Sequence, residues 1–147
     1  METRKDSIDF GGIRVHSIVR RQIDPGTSIE IEFLRARSSP LQGLELAVKN
    51  ATLAWDEHGA EGSAIRLWAD KQRQATIRYA NPRKSAELCI WNIWLDSSGN
   101  NEVVQAWWAW SGMRVDEDDD ALLLRCSGNY DEANFRDLVA RLTFSSV

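Results

Sequence analysis

What this chain has little of narrows its chemistry first. It holds 2 cysteines, 2 histidines and 3 prolines in 147 residues. Cys89 and Cys126 lie far apart, outside the spacing of a metal knuckle or a redox pair. Each sits in an apolar, strand-like run, where a free thiol acts as a small buried hydrophobe. Two unpaired core thiols are the preferred reading, with a disulfide as the alternative. His16 falls in a strand candidate and His58 in a glycine-bearing loop. There is no Gly-x-Ser-x-Gly elbow, no phosphate-cradling glycine loop and no His-Glu-x-x-His pair. With 22 acidic residues, chance pairing of carboxylates is easy and carries little weight. An enzyme is therefore the third-ranked class, behind a binding module and a protein-interaction domain.

Long hydrophobic runs are also missing. No window approaches the ~20 apolar residues of a membrane span, and Met1 to Phe10 contains no signal-peptide core. A cytoplasmic location and no membrane partner are expected. Positive charge is not in excess either. The net charge is −4, which argues against a nucleic-acid partner, because such binding needs a basic surface to displace counterions.

What is present is alternation. Residues 1–10 read as a flexible polar tail, and 11–147 as a single domain. Ile29, Ile31 and Phe33 alternate with Glu30 and Glu32, which predicts one dry face and one wet face. Similar segments begin near Ile13, Leu44, Thr52, Ile65, Ala75, Leu88, Val103, Met113 and Leu122, separated by turn signals such as Asp24-Pro25-Gly26 and Asn81-Pro82. The pattern predicts an all-β, antiparallel β-sandwich, jelly-roll-like, of about ten short strands. The C-terminus fits two periods. Phe135, Leu138, Val139 and Leu142 match a helix, whereas Leu138, Ala140, Leu142 and Phe144 match a strand. The strand is preferred because every other segment is β-like.

Two acidic clusters are candidates for Ca²⁺, which takes several oxygen ligands. One is Asp116 to Asp120, which also reads as a solvated hairpin loop. The other is the loop before the last strand, with Asp131, Asn134 and Asp137 as the candidate ligands. The segment Ser127-Gly128-Asn129-Tyr130-Asp131-Glu132-Ala133-Asn134-Phe135-Arg136-Asp137-Leu138-Val139 resembles the end of some bacterial β-sandwich modules, including jelly-roll sugar-binding lectins. That resemblance implies a calcium-binding loop leading into a final strand. Arg136 departs from it, since an acidic or amide residue would suit the pattern better. The run from Phe33-Leu34-Arg35-Ala36 through Leu41-Gln42-Gly43-Leu44 to Leu67-Trp68-Ala69-Asp70 is similar to uncharacterised bacterial proteins and implies no function. Lys71, Arg73, Arg78, Arg83 and Lys84 form a loose basic set, read mainly as the wet face of a hairpin.

Tryptophan is the outlier, with 7 residues. A hairpin pairing Asp96 with Val103 sets Trp94 opposite Gln105 and Asn92 opposite Trp107. These four are the candidate ligand-binding residues, on a partly exposed face. The drier set of Cys89, Trp91, Ile93, Leu95, Val104, Ala106, Trp108 and Trp110 is assigned to the core. An aromatic and amide-bearing face suits a carbohydrate, and suits equally a protein partner or a second copy in a homo-oligomer. Most of the tryptophans being simply core is the competing reading.

Overall fold

A computed structural model describes residues 6–96, 102–106, 112–130 and 132–146. Trp107, Trp108, Trp110 and Asp131 lie outside the described residues, so the expectations placed on them are not addressed further.

Fourteen strands run through the described residues. They are β1 (Ser7–Phe10), β2 (Ile13–His16), β3 (Val19–Ile23), β4 (Ser28–Ala36), β5 (Leu41–Val48), β6 (Leu53–Trp55), β7 (Ala60–Gly62), β8 (Ala64–Trp68), β9 (Gln74–Tyr79), β10 (Ala86–Asp96), β11 (Val103–Gln105), β12 (Gly112–Glu117), β13 (Ala121–Ser127) and β14 (Leu138–Ser145). They make two antiparallel sheets, the sandwich that the alternation predicts. The larger sheet has nine strands in the order β1-β2-β12-β13-β14-β4-β9-β6-β7. The smaller has the order β11-β10-β5-β8, with β3 pairing along the first half of β10.

Period-two patterning places the core between them. Ile29 and Ile31 have no exposed surface, and Phe33 is buried beside them. Glu30 and Glu32 lie on the opposite, outward side, where Glu32 pairs with Arg141. Leu44, Leu46, Leu88 and Ile90 meet this row from the smaller sheet in one continuous cluster.

Three expectations are corrected. Ser7–Phe10 is not loose tail: it pairs with β2, and Gly11 and Gly12 turn the hairpin with φ of 58° and 84°, which glycine adopts at no steric cost. The strand count exceeds ten because short pieces such as β1 and β7 carry too few residues to show a period. Cys89 is not core. It is half-buried on the outward side of the smaller sheet, while Cys126 is fully buried, and neither is joined in a disulfide. At the C-terminus the strand period prevails over the helical one. β14 is ladder-bonded on both edges, by β13 and by β4, and Leu138, Ala140, Leu142 and Phe144 point inward.

The acidic run is a tight hairpin between β12 and β13. The Asp118 N–H donates to Ala121 O at 3.0 Å, and its Oδ1 accepts from the N–H groups of Asp120 and Ala121. Asp116 is paired with Arg125. That is the solvated-loop reading, with Asp118 Oδ1 spent on the turn.

Candidate functional site

The register of the β10–β11 hairpin is the expected one: Asp96 opposite Val103, and Trp94 opposite Gln105. Its facing is the reverse. Trp94 is 1% exposed and Asn92 2%, so the amide-bearing row looks into the sandwich, not out of it. Gln105, at the end of that row, is half-buried. The expected objection, that amides would be buried unsatisfied, is met for their N–H donors, while Gln42 Oε1 has no partner among the described residues. Asn92 Nδ2 donates to Ser127 O at 2.9 Å, and Gln42 Nε2 to Gly128 O at 2.7 Å and Pro40 O at 2.9 Å. Gln42 is register-paired with Trp94 and has no exposed surface. Tyr130 packs edge-on against Trp94 at 4.2 Å and donates its hydroxyl to Asp96 at 2.7 Å, a bond that raises the pKa of the phenol.

Inverting β10 turns its other row outward. In the smaller sheet Trp68, Gly43 and Ile93 stand in one cross-strand row, and Arg66, Glu45 and Trp91 in a neighbouring one. Gly43 is required for the first row. A Cβ there would lie 2.9 Å from Trp68 Cε3 and 3.3 Å from Ile93 Cγ1, so the indole occupies the space a side chain at 43 would fill. Ile93 is thereby fully buried although its row faces away from the core. Trp68 and Trp91 keep part of their surface exposed. Arg66 Nε bonds Glu45 Oε1 between them at 2.8 Å. Leu41, Ala47, Cys89, Leu95 and Val104, all half-buried, complete this face. The outward side of the larger sheet carries ion pairs too, such as Arg141–Glu32 and Arg125–Asp116.

No family model, no characterised protein and no solved structure matches this chain. The site must therefore be read from its own geometry.

The loop leading into β14 is organised around one carboxylate. Asp137 is 2% exposed. Its Oδ2 accepts from the Gly128 N–H and from Asn129 Nδ2, and its Oδ1 from Asn134 Nδ2 at 2.9 Å and Arg37 Nη1 at 3.3 Å. Burial alone would raise its pKa, but the donors from Asn134, Gly128, Asn129 and Arg37 outweigh burial and hold it below the usual carboxylate value. The same environment disfavours a thiolate at Cys126, whose pKa is pushed far up by burial and then by the nearby Asp137 charge.

This arrangement corrects the calcium expectation for the two candidates within the described residues. Ca²⁺ needs free oxygen lone pairs. Both Asp137 oxygens already face N–H donors, one of them cationic. Asn134 turns its amide nitrogen to Asp137 and gives its oxygen to the Arg136 N–H. The pair closes a loop rather than opening a cation site.

Beside this cradle lies an open cleft of about 510 Å³, lined by Arg35, Ala36, Arg37, Ser38, Asn134, Arg136 and Asp137. Arg35 and Arg136 are exposed. Neither side chain has a hydrogen-bond or ion-pair partner among the described residues. Sequence reading missed both this cleft and Trp68. Arg37 and Asp137 are 100 positions apart, and no local spacing announces their meeting. Trp68 carried a usable signal, since it and Arg66 alternate with Ile65 and Leu67. The basic set of Lys71, Arg73, Arg78, Arg83 and Lys84 does not line this cleft, and its Arg78 is bound to Asp56 through two hydrogen bonds.

Proposed function

We propose that this chain is a non-enzymatic binding module that takes a carbohydrate across the outward face of its smaller sheet. The observation that carries the reading is the pairing of two part-exposed indoles, Trp68 and Trp91, around the Arg66–Glu45 ion pair. Two inter-strand spacings, across β5, and two residues along the strand separate them. Their Cα atoms are therefore about 12 Å apart from sheet spacing alone. An indole offers an apolar face to sugar C–H groups, while the guanidinium and carboxylate between the rings meet hydroxyls. The spacing favours a short oligosaccharide over a monosaccharide.

Cys126 is no candidate nucleophile, since it is buried and held protonated. Nucleic acid is not the proposed partner, given the net charge of −4. No helix among the described residues is long and apolar enough to cross a membrane. A cytoplasmic location belongs to the same proposal and is supported by two cysteines that form no disulfide.

A glycan array, followed by calorimetric titration of any oligosaccharide retained, tests the reading. Trp68→Ala or Trp91→Ala should weaken binding tenfold or more, with the fold intact by circular dichroism. Absence of binding to every glycan, or binding unchanged in both variants, rejects it. The half-buried Leu41, Leu95 and Val104 on the same face favour a second reading, a protein partner or self-association. Molar mass rising with concentration in light scattering would support that reading instead.

A further inference from the structure

We infer that the cleft formed by Arg35, Arg37 and Arg136 binds a dianionic oxyanion group, a phosphoryl or a sulfate. This site is separate from the aromatic face and does not depend on it. Three guanidiniums and one carboxylate, Asp137, line the cleft, so 3 − 1 leaves two positive charges in about 510 Å³. That concentration occurs in a chain whose net charge is −4, so it is not a general property of the surface.

The backbone aims these side chains. β4 and β14 slip register between Val139 and Ala140, where Arg35 faces Val139 and Phe33 faces Ala140. Regular alternation from the buried Phe33 would point Arg35 inward. The bulge inserts Leu34 and turns Arg35 out to the side of Val139, a common way for a strand to re-aim one residue. On the opposite wall, Phe135 adopts a left-handed backbone with φ of 53°, unusual for a bulky residue. Its ring is buried, its N–H is held by Ser127 Oγ at 2.8 Å, and the next residue, Arg136, is left exposed.

Arg37 differs from the other two. It bonds Asp137 at 3.3 Å and the Ser39 carbonyl, and stays 41% exposed. It forms a fixed floor, while Arg35 and Arg136 have donors free for a ligand. Arginine forks match the paired oxygens of phosphate and sulfate. Two uncompensated charges fit a dianion better than a single carboxylate.

The test measures thermal stability of the full chain against sodium phosphate, sodium sulfate, sodium acetate and sodium chloride at equal ionic strength. The expected result is a saturable rise in Tm with phosphate or sulfate that acetate and chloride do not reproduce. Arg35→Gln and Arg136→Gln should each weaken that binding at least tenfold and leave the unliganded Tm unchanged, because neither side chain has a partner to lose. If Arg136→Gln lowers the unliganded Tm, Arg136→Lys reads the same loss of fork geometry. Phosphate binding should weaken steadily as pH is lowered from 7.5 and the free dianion gains a proton, while sulfate binding does not. Tighter phosphate than sulfate at pH 7.5 identifies the phosphoryl group, and the reverse order the sulfate. Equal protection by acetate and chloride, or affinities unchanged in both variants, overturns the inference.

Discussion

The middle of this sandwich and its loop end are equally buried and are held in opposite ways. In the middle, Ile29, Ile31, Leu44, Leu46 and Ile90 have no exposed surface and no polar group to satisfy. Stability there follows apolar area and close packing. At the loop end, Gln42, Asn92, Asn129 and Asp137 are as deeply buried, and each depends on particular donors and acceptors from the end of β13 and from loops. Satisfaction is incomplete: Gln42 Oε1 and Trp94 Nε1 have no hydrogen-bond partner among the described residues. The difference teaches that burial alone does not mark core. A dry centre tolerates similar apolar residues, whereas the polar end tolerates few changes of any kind and fixes one loop geometry.

If that contrast is right, truncation in the middle should cost most. Phe33→Ala should destabilise by about 3–5 kcal/mol in denaturant unfolding. A loss under about 1 kcal/mol would mean that Phe33 does not support the core. Next comes Asp137→Asn, which keeps the shape and removes the charge that four donors face. The expected loss is about 2–3 kcal/mol. A neutral result would reduce the cradle to ordinary loop contacts.

The same carboxylate sharpens the contrast through pH. Its folded pKa is depressed, so the unfolded chain takes up the proton first as pH falls. Its contribution is full above about pH 4, near the unfolded value, and is lost as pH drops through the lower folded value. Denaturant midpoints measured from pH 6 downward should fall for the wild type and fall less for Asp137→Asn. Parallel curves would remove Asp137 from the account.

Gly128→Ala probes packing at the polar end. A Cβ there would lie 2.1 Å from Gln42 Oε1, on a side chain already fully buried and held at both of its amide bonds. A cost of about 1–3 kcal/mol is expected in thermal or denaturant unfolding. The smallest effects should come from the outward side of the larger sheet. Glu32→Ala, which breaks the exposed pair with Arg141, should shift stability by no more than about 0.5 kcal/mol. Millimolar Ca²⁺ should leave Tm unchanged, because the Asp137 oxygens are already engaged.

Much of this was legible in local pattern. The alternation of Ile29 to Phe33 gave the inward row of β4, and grouping Asn92 and Gln105 on one side of the hairpin agrees with the Asp96–Val103 register. The loop end was not legible. Asn92 and Gln42 look like surface residues in sequence because their acceptors, Ser127 O and Gly128 O, come from a strand end 35 and 86 positions away. Arg35 escaped notice for a related reason: a bulge changes parity without leaving a mark in composition.

The sequence by itself determined that this chain is predominantly β, where its strands alternate, and which residues share a side of β10. Parity is a property of one strand, fixed by backbone geometry within a few residues. Only the tertiary structure decided which side of β10 faces inward. That choice rests on β13 and its following loop supplying carbonyls to Asn92 and Gln42. It rests also on Gly43 leaving room for Trp68 to close over Ile93 on the other side. Each is a contact between segments far apart in the chain, and the free energy that selects a face exists only once those segments have met.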